Sequence, residues 1–311
     1  MTSTLNSTDI ENKIIIGTAP DSWGVWFPDD PKQTPWERFL DEVAEAGYSC
    51  IELGPYGYLP TDPVRLADEL RQRKLTISAG TVFTAFHRGL DQWDTAWKPA
   101  REVAELTAAM GGKHIVVIPA MWRDDVTGEA VEPGTLHEKQ WNDLFEGHNR
   151  LGKVLLEDFG LRQQFHSHAD SHVGAQQDIE KLLAHTDPAL LNLCLDTGHA
   201  EYCGASSLQL IQEHPERIGY LHLKQINPEI LAKVNEENMT WAAANLAGVM
   251  TEPPHGLPDL RAVIEAIEAL DRPIFGIVEQ DMYPVDFDVP MPVAKRTRDY
   301  LLSCGSRTRI N

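Results

Sequence analysis

The sequence predicts an α/β protein, a closed (β/α)8 TIM barrel forming a single domain, and three observations predict it. Short β-rich runs alternate with longer amphipathic stretches eight times between residue 13 and the C-terminus. Strands separated by helices pair in parallel, because a parallel neighbour needs a crossover connection. The 311 residues accommodate eight such units, for which ~250 residues is typical. A doubly wound open sheet is the competing α/β architecture, but the first strand-to-helix turn lacks GxGxxG and no P-loop pattern occurs in the chain.

Residues 1–12 read as a polar tail, lacking the basic and apolar regions of a signal peptide. The barrel is expected over 13–311. Its first strand is 13–17 (KIIIG), followed by a loop rich in Pro, Asp and Trp and by a helix near 34–47. There Trp36, Phe39, Leu40, Val43 and Ala44 recur at helical spacing, and Gly47 is placed as the stop. The strand 48–53, a helix over 62–74, the strand 75–81, a helix over 95–110 and the strand 114–118 continue the rhythm. A long helix over 138–159 leads to the strand 161–166. The second half adds a helix at 175–185, a strand at 190–196, a helix at 206–214 and a strand at 218–223. An insertion over 227–254, long enough to form a lid, precedes the helix 257–270, the strand 273–279 and a last helix at 293–303.

Composition narrows the function classes. With 27 Lys+Arg against 47 Asp+Glu the formal charge is −20, which argues against a surface that neutralises nucleic-acid phosphates or lies on an anionic membrane. No apolar run approaches the ~20 residues needed to span a bilayer. The four cysteines, Cys50, Cys194, Cys203 and Cys304, form no CxxC pair and read as reduced thiols, so a soluble cytoplasmic protein is expected.

In a parallel barrel the chemistry lies at the C-terminal ends of the strands. The polar residues at those ends are Glu52, then His166 and His168, Asp196 and His199, His222 and Lys224, and Glu279 and Asp281. Four successive strands thus deliver His166, Asp196, His222 and Glu279 to one mouth, a set of imidazoles and carboxylates suited to a divalent transition metal. His166 and His168, two apart on a strand, share a face, so either can supply the ligand from that strand. His172 is read as loop without a role.

These residues carry a resemblance. The segments CLDTGH (194–199), LHLK (221–224), IELG (51–54) and VEQD (278–281) resemble the xylose-isomerase-like barrel superfamily of sugar isomerases and epimerases. More specifically, GLRQQFHSHADSHV, TDPALLNLCLDTGH and the opening GTAPDSWG resemble the inosose dehydratases in order and spacing, over about residues 17–300. The resemblance implies metal ligation by Asp196, His222 and Glu279, with a fourth ligand at His166, where sugar epimerases of this superfamily carry a glutamate. The pair of carboxylates that such epimerases use as acid and base is therefore incomplete. Gln225 and the segment 169–171 (ADS) also depart from the pattern.

The resemblance implies a metal-dependent carbon–oxygen lyase, using Mn, Mg, Co or Zn, that dehydrates a cyclic keto-polyol such as an inosose. The alternative is an isomerase or epimerase working on a ketose through an enediolate. His168, Lys224 and Glu279 are the expected acid/base residues, Lys224 having an orienting salt bridge as its other reading. Glu52 and His199 are expected to hold substrate hydroxyls, with Trp23 and Trp26 as an apolar wall for the ring. Barrels of this group usually associate, so a homo-oligomer is expected as well. An endonuclease-type phosphodiesterase shares the barrel but needs a basic groove, which the charge disfavours.

Overall fold

Runs of apolar and β-branched residues, IIIGT near the start and HIVVIP in the middle, form strands buried on both faces, as a parallel sheet requires. The computed structural model describes residues 14–124 and 127–305; the polar tail at 1–12 lies outside them. The strands are β1 (Ile14–Thr18), β2 (Cys50–Ile51), β3 (Thr76–Ile77), β4 (Ala79–Thr84), β5 (His114–Pro119), β6 (Arg162–His166), β7 (Leu191–Asp196), β8 (Ile218–Leu223), β9 (Gln225–Ile226), β10 (Met250–Thr251) and β11 (Ile274–Val278). The helices are α1 (Trp36–Glu45), α2 (Pro63–Arg73), α3 (Trp93–Ala109), α4 (Glu138–Phe159), α5 (Gln176–His185), α6 (Thr197–Tyr202), α7 (Ser207–Glu213), α8 (Pro228–Glu237), α9 (Trp241–Leu246), α10 (Leu260–Glu268) and α11 (Pro290–Ser303).

The parallel sheet runs β3-β2-β1-β11-β8-β7-β6-β5-β4, and its two end strands are consecutive pieces of one stave broken at Ser78. Ser78 N–H donates to the Ile51 carbonyl (2.9 Å) and Leu53 N–H to the Ala79 carbonyl (3.0 Å), so the ladder continues across the break and closes the ring. At the break the Ser78 hydroxyl donates to Ile51 O and accepts from the Tyr220 hydroxyl across the barrel at 2.7 Å. Eight staves result, as the alternation predicts. Most boundaries differ only at their ends. The predicted strand 48–53 is a strand only at Cys50–Ile51, and α6, which the periodicity does not predict, begins directly at the end of β7.

Inside the ring, Cys50, Ala79, Val116, Cys194, Tyr220 and Ile277 form one apolar cluster. A larger cluster, including Phe39, Leu182, Leu193, Leu221 and Ile264, fills the layer between sheet and helices. The insertion is folded rather than loose. It contributes α8, α9 and β10, the last pairing antiparallel with β9, around a core of Ala169, Ile226, Val234, Trp241, Ala244 and Met250. Among the described residues no helix is long and apolar enough to cross a membrane.

Candidate metal centre and cavity

The two-residue period of a strand places the site. Cys50, Cys194, Tyr220 and Ile277 point into the barrel, so Glu52, Asp196, His222 and Glu279, each two residues on, point the same way one layer higher, at the C-terminal mouth. His166 stands in the same relation to Gln164. One ligand atom from each of His166, Asp196, His222 and Glu279 lies within 4.8 Å of the others, and all four side chains are nearly or wholly buried.

Asp196 is held from two directions. Its Oδ1 accepts from His199 N–H at 2.8 Å, capping α6, which leaves Oδ2 facing the mouth, 3.2 Å from His166 Nε2 and 3.2 Å from Lys224 Nζ. His222 is held at Nε2, which donates to Glu52 Oε1 at 2.8 Å, while the second Glu52 oxygen accepts from the Thr81 hydroxyl. This leaves Nδ1 facing the mouth, 2.8 Å from Glu279 Oε2 and 3.5 Å from Asp196 Oδ2, buried and without a properly directed hydrogen bond. A ring nitrogen aimed between two carboxylates marks a point where positive charge is held, by a ring proton or by a metal ion that would displace it, with Glu52 as the outer carboxylate that orients a metal-binding imidazole. The donor set of two nitrogens and two oxygens is of the kind that takes zinc, manganese or cobalt.

Charge at the mouth is arranged around one ammonium. Lys224 Nζ lies 3.0 Å from Glu279 Oε2, 3.0 Å from Asp281 Oδ2, 3.2 Å from Asp196 Oδ2 and 4.0 Å from Asp21 Oδ2. Burial opposes its charge, but Asp196, Asp281, Glu279 and Asp21 outweigh that and raise its pKa well above the usual lysine value. Burial likewise opposes ionisation of Glu279, and His222 and Lys224 overcome it, holding its pKa at about 2. His222 is pushed well above the ordinary histidine range: burial works against the charged ring, and Cys194, Glu279, Glu52 and Asp196 outweigh it. His168 behaves oppositely. Burial, reinforced by His166, lowers its pKa to about 4, and its Nδ1 donates to the Ala169 carbonyl at 2.7 Å, so the neutral ring carries its lone pair on Nε2.

The cavity over this cluster is lined by His166, His168, His222, Lys224, Glu52, Glu279, Asp21 and Asp281, with walls from Trp26, Phe27, Phe83, Met121 and Trp241. Two expected substrate contacts stand elsewhere. Trp23 is fully buried, its indole N–H donating to Glu42 Oε2 at 2.8 Å and its ring edge-on to Phe39, so Trp26 forms the wall instead. His199 lies outside the lining: its Nδ1 accepts from Ala169 N–H, and its ring packs 3.8 Å from His168 and 4.6 Å from Trp241. Glu52 does line the cavity, but with both oxygens engaged by His222 and Thr81. Sequence reasoning missed Asp21 and Trp241; PDSW, in the first strand-to-helix loop, was the available signal for the former.

Residues 40–297 match the family described as xylose isomerase-like TIM barrel. The chain belongs to that family. Among members of this xylose isomerase-like family, the chain is 31% identical to an inosose dehydratase of Geobacillus thermodenitrificans over 95% of its own length and 99% of the relative's. It is 30% identical to an inosose dehydratase of Clostridium botulinum (strain Alaska E43), covering 93% of this chain and 97% of that one. Solved structures share the fold at lower identity. One is the IolI protein with a bound zinc atom (TM-score 0.70, 15% identity, 93% of this chain and 98% of that one). Another is the probable 3-DHS dehydratase AsbF of Bacillus anthracis (TM-score 0.67, 16% identity, 93% and 98%).

Proposed function

We propose that this protein is a metal-dependent carbon–oxygen lyase that removes water from a cyclic keto-polyol of the 2-keto-myo-inositol class. The observation that carries the reading is the cluster His166–Asp196–His222–Glu279, with His222 Nδ1 facing two carboxylates, on a chain similar along nearly its whole length to inosose dehydratases. The four residues would hold a divalent ion, and such an ion supplies Lewis-acid polarisation of a ketone and its neighbouring hydroxyl.

The remaining work falls to the chain. His168, neutral and with its lone pair on Nε2, takes the proton from the carbon beside the ketone. The hydroxyl on the next carbon leaves with a proton as water, and a carbon–carbon double bond forms. Asp21 is the proton donor the cavity offers. Burial, and then the neighbouring Asp281, raise its pKa well above the usual carboxylate value, and its Oδ2 is buried without a hydrogen bond. Lys224, which keeps its proton among its carboxylates, orients Asp196 and Glu279. Glu279, ionised and held by Lys224, acts as a ligand. The aromatic walls exclude water around the ring.

Elemental analysis and a panel of keto-inositols and ketoses test the reading. Enone or dione absorbance with 2-keto-inositol, lost in His168→Ala and Asp21→Asn, is expected. Solvent deuterium entering an epimerised ketose without water loss would replace it with the epimerase alternative, and activity surviving both Glu279→Gln and His222→Ala would sink the metal chemistry.

A further inference from the structure

A second group of ligating side chains lies outside this cavity. His87 comes from the turn after β4, Glu132 from the loop between β5 and α4, and His172 from the loop between β6 and α5. One ligand atom from each lies within 4.8 Å of the others, yet none of the three lines the central cavity. The two rings are buried, with centroids 4.7 Å apart. His172 Nε2 sits 2.9 Å from the Pro133 carbonyl, which can only accept, so that nitrogen carries the hydrogen. Its Nδ1 therefore bears the lone pair, and it is buried with no hydrogen-bond partner among the described residues. His87 Nε2 is 3.1 Å from Glu132 Oε1, the same oxygen that Arg88 reaches at 2.8 Å. Ordinary packing accounts for His87, Glu132 and Arg88 as a hydrogen-bonded trio. It leaves the His172 lone pair unexplained.

We propose that His87, Glu132 and His172 bind a second divalent transition-metal ion, zinc being the species the donors suit. Two imidazoles and one carboxylate are a known three-ligand zinc set, with the fourth position open to water. Arg88 is 46% exposed at its side chain, so it can turn to solvent when a cation takes over Glu132. Such an ion ties together three loops of the mouth, two of which also carry the cavity residues Met121 and His168. Its role is to fix the shape of that mouth.

Zinc binding to untagged protein, stripped with chelator and equilibrated by dialysis, tests the site. Wild type is expected to take up about two zinc ions per chain. His172→Ala and His87→Ala are each expected to retain about one, with cobalt substitution showing the matching loss of visible absorption. His222→Ala is expected to lose the other ion and keep this one, which separates failure of this site from failure of the central one. Circular dichroism verifies that each variant is folded, and Glu132→Gln serves if an alanine variant is not. Unchanged zinc content in folded His172→Ala and Glu132→Gln, or a single wild-type ion abolished by His222→Ala, would overturn the proposal.

Discussion

His222 depends on its neighbours at both ends of the ring. Glu52 takes the Nε2 hydrogen at 2.8 Å and thereby aims Nδ1 at Glu279 and Asp196. Loss of such an outer carboxylate typically costs 10–100-fold in metal affinity. Glu52→Ala should therefore weaken metal binding by about that factor in a chelator competition, while unchanged affinity would show that Glu52 does not set the ring. Lys224 poses a different problem, since it is the ammonium that three carboxylates contact at 3.0–3.2 Å. Removing one partner of a buried charge cluster costs about 3–5 kcal/mol, because the carboxylates stay buried and unpaired. Lys224→Met should lower stability by that order in urea unfolding, less so with metal present, because a cation returns part of the missing charge. At this scale the sequence was legible wherever a residue's direction follows from the strand period, as for Asp196 and His222. It was illegible where a loop decides: Trp23 and Trp26 lie three apart in one segment, and only the former packs inward, against Phe39 and with its indole N–H donating to Glu42.

The eight strand-helix units were readable because hydrophobic periodicity sets them, and the break at Ser78 was not, because nothing in the local pattern marks the residue that the Tyr220 hydroxyl reaches from across the barrel. The short α6 escaped for a related reason. A single carboxylate, Asp196, both ends β7 and caps the helix, so no separate start signal precedes it. The folded insertion shows the same dependence on tertiary contacts: Trp241 N–H donates to Asp170 Oδ2 at 2.9 Å, which seats α9 against the β6 loop. Helix α4 yields a prediction of its own. His148, on its buried face, donates from Nδ1 to Gln163 Oε1 at 3.0 Å and sits between Phe86 and Phe165 with Nε2 unpartnered. Burial lowers its pKa from 6.5 to about 4. Between those values the unfolded chain binds a proton that the folded chain refuses. The stability contribution is thus complete above pH ~6.5 and is lost as pH falls toward ~4, with a slope of about 1.4 kcal/mol per pH unit. His148→Leu should be less stable at pH 7, having stranded Gln163, yet show a flatter decline on acidification. A parallel decline in both proteins would assign the slope to other groups.

Across the whole barrel, the candidate centre joins staves that are distant in sequence. His166, Asp196, His222 and Glu279 come from β6, β7, β8 and the end of β11, so an ion there would bridge consecutive staves in the order they occupy in the sheet. A ligand that binds only the folded chain stabilises it by RT ln(1 + [L]/Kd), about 2.7 kcal/mol at a hundredfold excess over Kd. For a chain of 311 residues that corresponds to a rise of about 4 °C in Tm. Zinc or manganese added to chelator-stripped protein should produce such a rise, and EDTA should reverse it. Glu279→Gln and His222→Ala should lose most of the effect, and whatever increment survives in them should disappear when His172→Ala is added. The formal charge of −20 supplies a further control, because a nonspecific cation effect on so acidic a surface would be reproduced by calcium or sodium at equal ionic strength. A rise that those ions match, and that the ligand variants retain in full, would place the stabilisation on the surface charge and leave the mouth of the barrel without a metal.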